Sequence, residues 1–299
     1  MSTAFLFPGQ GAETPLMGGA LLHSWRVRRW LATASAAVGL DVAHVIERGL
    51  PELRCTDVAQ PALTAVCLAI YEAITERGVR PDVIAGHSLG EVAALAAAGV
   101  WSSETAVQLA AERGRLMAAA AAAAPGGMLA LKAKSPHEVR AAIAIGASAG
   151  RIEVAAENAT DEWVLTGDKP ALMAVAARFP AVLLPVAGPW HSAGMASAEA
   201  SFRQTLARVK LCPPRCRLVM NRDGQLVKDG AALVDLLAGQ LTRPIAWVTA
   251  METLTALGTR TWIVVGPGRA LRGLVRKHVG PEARVLLIQD ERDVEALAA

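Results

Sequence analysis

The sequence predicts an α/β protein with a large body built on a parallel sheet and a small inserted subdomain. Short apolar runs bounded by Gly, Pro or Asn alternate with longer segments of helical periodicity along the 299 residues. Strands that alternate with helices favour a parallel sheet, because each helix returns the chain to the same end of the sheet. Between residues 127 and 188 the predicted order becomes strand, helix, strand, strand, helix, strand, which is the ferredoxin-like order of a split βαβ unit.

The predicted elements follow in chain order. Strands are predicted at 3–7, 83–85, 128–132, 152–156, 163–166, 182–186, 218–220 and 262–265. Helices are predicted at 61–77, 91–98, 103–123, 171–178, 196–209 and 231–241. Within the inserted unit, the chain is expected to turn near residues 160–162 between the second and third strands.

The start of the insertion is marked by composition. A run of alanines at 118–124 favours helix, and Pro125, Gly126 and Gly127 end it. We therefore predict a large α/β catalytic subdomain from residues 1–126 plus 189–299, and a small ferredoxin-like subdomain from residues 127–188.

Composition excludes several classes of function. A net charge of +3, from 30 basic and 27 acidic side chains without a block of like charges, disfavours a nucleic acid partner. No apolar run approaches the roughly 18 residues that span a bilayer, so no membrane partner is expected. The N-terminal residues lack the basic start and long apolar run of a secretory signal, which favours a cytoplasmic location.

The four cysteines give no sign of a metal site. Cys212 and Cys216 are the most closely spaced, but they enclose two prolines and have no histidine nearby to complete a zinc set. We expect reduced thiols and no bound metal.

The strongest local signal for chemistry is Gly86-His-Ser-Leu-Gly90, which follows an apolar strand and precedes an alanine-rich helix. Chance could place a GxSxG pattern in so Gly-rich and Ala-rich a chain, but strand, turn and helix together indicate a nucleophile elbow. The two glycines let strand and helix approach closely, which presents the Ser88 hydroxyl at a helix N-terminus where amide groups stabilise negative charge.

A serine nucleophile needs a base, and six histidines are available. His87 directly precedes Ser88, so its side chain should diverge from the hydroxyl and support or line the pocket. His191 lies in a loop after a strand and before a helix, where it could reach the serine. The other four, in helical or polar surroundings, are expected at the surface: His23, His44, His137 and His278.

At this point the sequence resembles a known family. The chain is similar, over essentially its whole length, to malonyl-CoA:acyl carrier protein transacylases, to the acyltransferase domains of polyketide and fatty acid synthases, and to the epsilon subunit of malonate decarboxylase. The matching segments, in order, are Phe7-Pro-Gly-Gln-Gly, Gly86-His-Ser-Leu-Gly-Glu, Glu112-Arg-Gly-Arg-Leu-Met, Trp190-His191, Asn221, Gly239-Gln240-Leu and Val265-Gly-Pro-Gly. The resemblance implies an α/β-hydrolase-like body with the parallel sheet and the ferredoxin-like insertion.

The resemblance also implies roles for individual residues. Ser88 would take the acyl group as an ester, with His191 as base and later acid, and the main-chain carbonyl of Gln240 would orient the imidazole in place of a carboxylate. The backbone N–H groups of Gln10 and Leu89 would form the oxyanion hole. Arg113 would grip the free carboxylate of a malonyl group, because a guanidinium offers two parallel donors. Three further residues are expected to line or support the pocket: His87, Trp190 and Asn221.

The implied reaction is ping-pong acyl transfer without a permanently bound cofactor. Malonyl-CoA or a related acyl-CoA would be the donor, and the phosphopantetheine thiol of an acyl carrier protein the acceptor. Trp190 beside the base and Val92 after the elbow depart from members that supply fatty acid synthesis. They leave open the acyl group, and whether the pathway is fatty acid synthesis, trans-acting polyketide synthesis or malonate decarboxylation.

Two other functions stay open at this stage. A serine hydrolase or thioesterase could edit carrier-bound acyl chains, although an α/β-hydrolase would usually carry its histidine near the C-terminus. A non-catalytic docking protein would be expected to have lost Ser88, His191 or Gln10, and all three are present.

A basic helical face is predicted near the C-terminus. Arg269, Arg272 and Arg276 recur at i, i+3 and i+7, so they share one face. This face could meet the acidic surface of a carrier protein or the phosphates of CoA, or it could simply be solvated. Nothing in the sequence resembles a coiled-coil seam, and a monomer is expected.

Overall fold

The computed structural model describes residues 2–297, which form two sheets with helices packed around them. The strands are β1 (Ser2–Phe7), β2 (Val83–Gly86), β3 (Gly127–Lys132), β4 (Ile152–Ala159), β5 (Glu162–Gly167), β6 (Ala181–Leu183), β7 (Arg217–Val219), β8 (Thr259–Val265) and β9 (Arg284–Ile288). The helices are α1 (Trp25–Val38), α2 (Val42–Arg48), α3 (Thr56–Glu76), α4 (Gly90–Ala97), α5 (Ser103–Ala123), α6 (Pro136–Ala147), α7 (Lys169–Ala176), α8 (Ala196–Leu206), α9 (Leu233–Gly239), α10 (Trp247–Ala256), α11 (Arg269–Val279) and α12 (Glu291–Ala296).

The main sheet is parallel, as predicted, with strand order β7-β2-β1-β8-β9. β1 lies at its centre, and its Ala4–Phe7 side chains are fully buried. Since parallel strands end at one edge, β1 and β2 bring the loops that follow Phe7 and Gly86 side by side. This edge positions the functional site.

The second sheet is antiparallel, with strand order β4-β5-β3-β6. This is the order of a ferredoxin-like fold, so the predicted fold class is confirmed for both sheets. The sheet has a core of its own, in which Leu129, Leu131 and Leu165 pack under α6 and α7. The domain boundaries after residues 126 and 188 stay a prediction.

Helix α3 corrects one statement made from the sequence. By length and composition its 21 residues could cross a bilayer, so the statement that no apolar run approaches 18 residues was wrong. The predicted helix at 61–77 also began five residues too late, since Pro61 occupies the second turn of α3. Most of the apolar stretch, 83%, is buried inside the protein, so α3 is a core helix of this fold.

All eight predicted strands are present, with shifted ends. The sixth differs most: β6 ends at Leu183 instead of residue 186, because the chain leaves the sheet there to reach the loop that holds His191. The hairpin between β4 and β5 turns at residues 160–161, within the predicted turn. The sequence analysis missed five elements: α1, α2, α10, β9 and α12.

Candidate active site

A strained turn between β2 and α4 presents Ser88. Its φ of 52° is in the left-handed region, which a residue other than glycine adopts at a cost. The flanking glycines are required by contact: a Cβ on Gly86 would lie 2.1 Å from the carbonyl carbon of Gly90. A Cβ on Gly90 would lie 2.1 Å from the carbonyl oxygen of Phe7 at the end of β1. The segment therefore has the geometry of a nucleophile elbow.

The Ser88 hydroxyl is hydrogen-bonded to His191. Ser88 Oγ lies 2.8 Å from His191 Nε2, and His191 Nδ1 lies 2.8 Å from the main-chain oxygen of Gln240. Because a carbonyl can only accept, Nδ1 carries the proton and Nε2 of the neutral ring is free to accept from the hydroxyl. The carbonyl of Gln240 thus occupies the place where a carboxylate orients histidine in a Ser-His-Asp triad.

The environment of His191 keeps its imidazole neutral. The side chain is buried, and its φ is 58°. Burial, followed by the nearby positive charge of Arg113, lowers the pKa of His191 to about 3, while the hydrogen bond to Gln240 acts in the opposite direction. A neutral ring at physiological pH is the form that can take a proton from Ser88.

Arg113 of α5 buries its guanidinium beside the serine. The residue is only 1% exposed, and its Nη2 lies 3.5 Å from Ser88 Oγ. Nη1 donates to Gln60 Oε1 at 2.9 Å and Nη2 donates to Gln240 Oε1 at 2.8 Å. The Nε–H finds no acceptor among residues 2–297. The hydrogen-bonding partners of this buried cation are all neutral, so its local field favours an anionic group near Ser88.

A hydrogen-bond network of Asn221, Gln240 and Glu91 holds the backbone of the elbow. Asn221, after β7, accepts the backbone N–H of Ser88 at 2.6 Å and donates to the carbonyl of Gly86. The side-chain amide of Gln240 donates to the carbonyl of Ser88 at 3.1 Å. Glu91, in the first turn of α4, accepts from the Asn221 backbone and from the Gln240 side chain.

The loop after β1 lies directly against the elbow. The backbone N–H of His87 donates to the carbonyl of Phe7 at 2.9 Å, and a Cβ on Gly9 would lie 3.4 Å from the Cβ of Ser88. Gln10 follows in this loop. The backbone N–H groups of Gln10 and Leu89 donate to no acceptor within residues 2–297.

The structure places His87 and Trp190 in supporting positions. His87 Nε2 lies 3.0 Å from Asn158 Oδ1, and its ring meets the ring of Trp247 edge-on. Burial lowers the pKa of His87, which favours its neutral form. Trp190 is buried in the large core, with its ring close to Gly188. It therefore packs behind the loop that carries His191.

The other four histidines lie apart from Ser88. His23, His44 and His137 are exposed, while His278 Nε2 lies 2.8 Å from the backbone oxygen of Asn158. Within the described part of the chain, no group of three or more His, Cys, Asp or Glu side chains is arranged to hold a metal ion.

Sequence reasoning missed Glu91 and Gln60 as parts of this site. Both are polar residues in strongly apolar helices, Glu91 at 1% exposure and Gln60 fully buried. A polar residue on an apolar helical face was the available signal, because a buried polar group requires a partner.

An α/β body with a serine on a nucleophile elbow, hydrogen-bonded to a neutral histidine, defines an enzyme of the acyl-transferring or acyl-hydrolysing class. Comparison with known proteins decides between the two. The chain belongs to the acyl transferase domain family, whose profile matches residues 4–230. This confirms the resemblance seen in the sequence.

Individual relatives cover nearly the whole chain. A malonyl CoA-acyl carrier protein transacylase of Mycobacterium tuberculosis (strain H37Rv) is 34% identical over 99% of this chain and 99% of that protein. The crystal structure of the Synechocystis malonyl-CoA:ACP transacylase superposes with a TM-score of 0.91 at 30% identity, covering 99% of this chain and 100% of that one. A malonyl-transacylase solved in complex with a holo type II PKS acyl-carrier protein superposes with a TM-score of 0.91 at 29% identity, covering 99% and 98% of the two chains.

Proposed function

We propose that this protein transfers a malonyl group from CoA to the phosphopantetheine thiol of an acyl carrier protein, through an ester on Ser88. The observation that carries the proposal is the buried guanidinium of Arg113, 3.5 Å from a hydroxyl that is itself 2.8 Å from His191 Nε2. This geometry supports a serine nucleophile beside a site for a free carboxylate. The acyl transferase relatives support the transfer reaction over hydrolysis.

The first half-reaction forms the acyl-serine. Ser88 Oγ attacks the thioester carbonyl while His191 Nε2 takes the hydroxyl proton. The tetrahedral intermediate collapses as its C–S bond breaks, and the imidazolium returns the proton to the departing CoA sulfur. During both steps the main-chain oxygen of Gln240 accepts from Nδ1, which stabilises the positive charge on the ring.

The second half-reaction is the same chemistry in reverse. His191 takes the proton of the carrier's thiol, the thiolate attacks the ester carbonyl, and the proton passes to Ser88 Oγ as the C–O bond breaks. In each tetrahedral intermediate the oxyanion would accept from the backbone N–H groups of Gln10 and Leu89, which have no other acceptor within residues 2–297. Loss of one such donor typically costs about 10²- to 10³-fold in rate.

Arg113 would select the acyl group. A malonyl chain on Ser88 places its carboxylate one methylene beyond the ester carbonyl, within reach of a guanidinium that lies beside the hydroxyl. An acetyl chain would leave the guanidinium hydrogen-bonded to neutral partners alone. By fixing the malonyl end, Arg113 also holds the ester away from attacking water, which favours transfer over hydrolysis.

The carrier protein would dock on the basic face of α11, the face formed by Arg269, Arg272 and Arg276. Arg269 and Arg276 are exposed, and none of the three forms an ion pair within residues 2–297. A carrier's acidic surface would be drawn to them by charge complementarity. The transacylase relative in complex with a carrier protein supports such a partner. A monomer in the cytoplasm is part of the same proposal.

Intact-protein mass spectrometry tests the function directly. The protein is mixed briefly with malonyl-CoA, acetyl-CoA and methylmalonyl-CoA in competition, alongside Ser88→Ala. We expect a malonyl adduct that the variant lacks. An acetyl or larger adduct would keep the mechanism and contradict the substrate, whereas release of free acid without an adduct would contradict transfer and indicate a hydrolase.

A further inference from the structure

Glu91 is a carboxylate inside the protein. It lies in the first turn of α4 at 1% exposure, three residues after Ser88. Burial raises the pKa of Glu91, while the hydrogen bonds from Asn221 and Gln240 and the charge of Arg113 act against that rise. A nearby charge of the same sign, on Asp223, acts with burial. A charge so placed is costly unless specific contacts require it.

Both carboxylate oxygens of Glu91 accept hydrogen bonds from residues that hold the reacting groups. One oxygen accepts from the backbone N–H of Asn221, and the other from the side-chain amide of Gln240. Asn221 in turn holds the N–H of Ser88, and Gln240 holds its carbonyl. Both backbone polar atoms of the strained serine are therefore tied to one carboxylate.

The same network includes Arg113, and in each of its hydrogen bonds it is fixed which group donates and which accepts. A guanidinium can only donate, so the Gln240 amide must turn its oxygen to Arg113, at 2.8 Å from Nη2. Its NH2 group then faces Glu91 and needs an acceptor there. The backbone N–H of Asn221 makes the same demand on the other oxygen. An ionised carboxylate satisfies both, because it accepts and never donates. These two hydrogen bonds, together with the charge of Arg113, therefore favour the charged form of Glu91 against the effect of burial.

We propose that Glu91 is a positioning residue that couples the nucleophile to carboxylate recognition. It fixes the orientation of the Gln240 amide, which keeps the guanidinium of Arg113 directed at the acyl site. Through Gln240 and Asn221 it also holds Ser88 in its left-handed conformation. This inference rests on the proposed malonyl transfer and adds a residue that contacts no substrate.

The substitution Glu91→Gln tests this assignment of donors and acceptors. A glutamine at this position must direct its NH2 group at one of two N–H groups. Rotation of the Gln240 amide would remove this clash of two donors, but it would turn the NH2 group of Gln240 towards Arg113. The guanidinium would then lose an acceptor and shift. We expect the ratio of malonyl to acetyl acylation rates at Ser88 to fall about tenfold, the effect of losing one hydrogen bond to a charged group. The matched control is Glu112→Gln, next to Arg113 on α5 but paired with the exposed Arg115, and its ratio should equal that of the wild type.

The ratio separates positioning from mere folding. Partial unfolding lowers both rates by one factor, so a purely structural Glu91 would leave the ratio unchanged. The effect should also vanish when Arg113→Ala is already present, because the coupling then has no guanidinium to act on. Two results would overturn the proposal. One is a malonyl-to-acetyl ratio in Glu91→Gln within about twofold of the wild type. The other is an equal fall in this ratio whether position 113 is arginine or alanine.

Two further comparisons keep the outcomes distinct. If Glu91→Gln does not fold, Glu91→Asp is measured in its place, with and without Arg113→Ala. Aspartate keeps the charge but is one methylene too short to reach both partners. We expect a smaller fall in the ratio of malonyl to acetyl acylation rates. The wild-type protein reports on the proposed function separately. Absence of malonyl acylation in the wild type would contradict the function, whereas an insensitive ratio in the variants contradicts only the role of Glu91.

Discussion

His191 illustrates how one environment fixes the protonation state of a base. Burial and the charge of Arg113 lower its pKa to about 3, so the ring stays neutral from physiological to mildly acidic pH. In the proposed mechanism, acylation of Ser88 requires the neutral ring, so kcat/KM for acylation should stay flat as the pH falls from about 8 to about 5. Single-turnover acylation measured by quenched mass spectrometry checks this. A decline centred near pH 6.5, the ordinary value for histidine, would contradict the assignment, provided that circular dichroism shows the protein folded at each pH.

Substitution of Arg113 separates recognition from chemistry. Arg113→Ala removes the guanidinium, but Ser88, His191 and the free amides of Gln10 and Leu89 remain. Malonyl transfer should fall by about 10²-fold or more, since a buried charge-assisted pair is lost, whereas acetyl transfer should persist. Arg115→Ala is the matched control, because Arg115 is exposed and paired with Glu112. Equal losses for both acyl groups would refute the role of Arg113 in selection.

The residues of the site differed in how far sequence could predict them. Ser88 could be predicted from the sequence because its elbow is encoded within five consecutive residues. Arg113 and Gln240 required the family resemblance, since each is an unremarkable helical residue until the fold brings it to the serine. Glu91 was missed because its partners Asn221 and Gln240 are 130 and 149 residues away in the chain. Such long-range hydrogen bonds leave no local pattern.

At the scale of elements, the elbow depends on close backbone approach between β1, β2 and α4. Gly90→Ala places a Cβ 2.1 Å from the Phe7 carbonyl oxygen, which is main chain and cannot move aside without displacing β1. We expect a loss of about 1–3 kcal/mol or more in the free energy of unfolding, together with loss of Ser88 acylation. Chemical denaturation followed by circular dichroism measures the first quantity.

The control for this substitution lies on another helix of the same body. A Cβ on Gly273 of α11 would meet nothing within 4 Å. Gly273→Ala should therefore stabilise the protein by about 0.5–1 kcal/mol, as alanine does in an exposed helix. A Gly90→Ala variant as stable as Gly273→Ala would show that the close approach at the elbow is not required.

Missed elements show which sequence signals carry little weight alone. α1 and α2 have ordinary caps, Ser24 and Asp41 at their starts and Gly39 and Gly49 at their ends. Their polar, arginine-containing sequences gave no continuous apolar stretch to draw attention. β9 is an edge strand whose Val285–Ile288 run is a strand signal of the kind used for the other strands, and the sequence analysis overlooked it.

At the scale of the whole molecule, the two sheets are joined close to the active site. The backbone of β4 pairs with the segment after Gln240: Glu157 N–H donates to Ile245 at 3.0 Å, and Ile245 N–H donates to Ala155 at 2.9 Å. Asn158, on the same strand, contacts His87 of the elbow through its side chain and His278 of α11 through its backbone. The small sheet is therefore joined to the large body next to the elbow, through β4.

Helix α11 contacts both the loop that carries Gln10 and the small subdomain. Its N-terminal end follows Gly268, where a Cβ would lie 3.4 Å from Pro8, in the loop that carries Gln10. Lys277, near its other end, bonds to Asp161 and Glu162 of the small subdomain. The basic face of α11 thus belongs to a helix that runs between the loop carrying Gln10 and the antiparallel sheet.

Charge reversal on this helix distinguishes the two ligands that it could attract. With Arg272→Glu and Arg276→Glu together, we expect transfer from acyl-Ser88 to the carrier protein to slow by about tenfold or more at low salt, while acylation by malonyl-CoA is unchanged. The difference should shrink at about 1 M salt, where the Debye length is about 3 Å. Arg140→Glu, exposed on α6, makes the same kind of charge change in the small subdomain and should leave both steps unaffected.

The two half-reactions must be timed separately, because only their comparison identifies the ligand. Slower acylation with unchanged transfer would assign the basic face to the phosphates of CoA instead of the carrier. No change in either step would mean that the face is simply solvated, as isolated surface charges commonly are. Because neither substitution touches Ser88, His191 or Arg113, a slowed transfer step would reflect encounter with the carrier and leave the chemistry at the elbow intact.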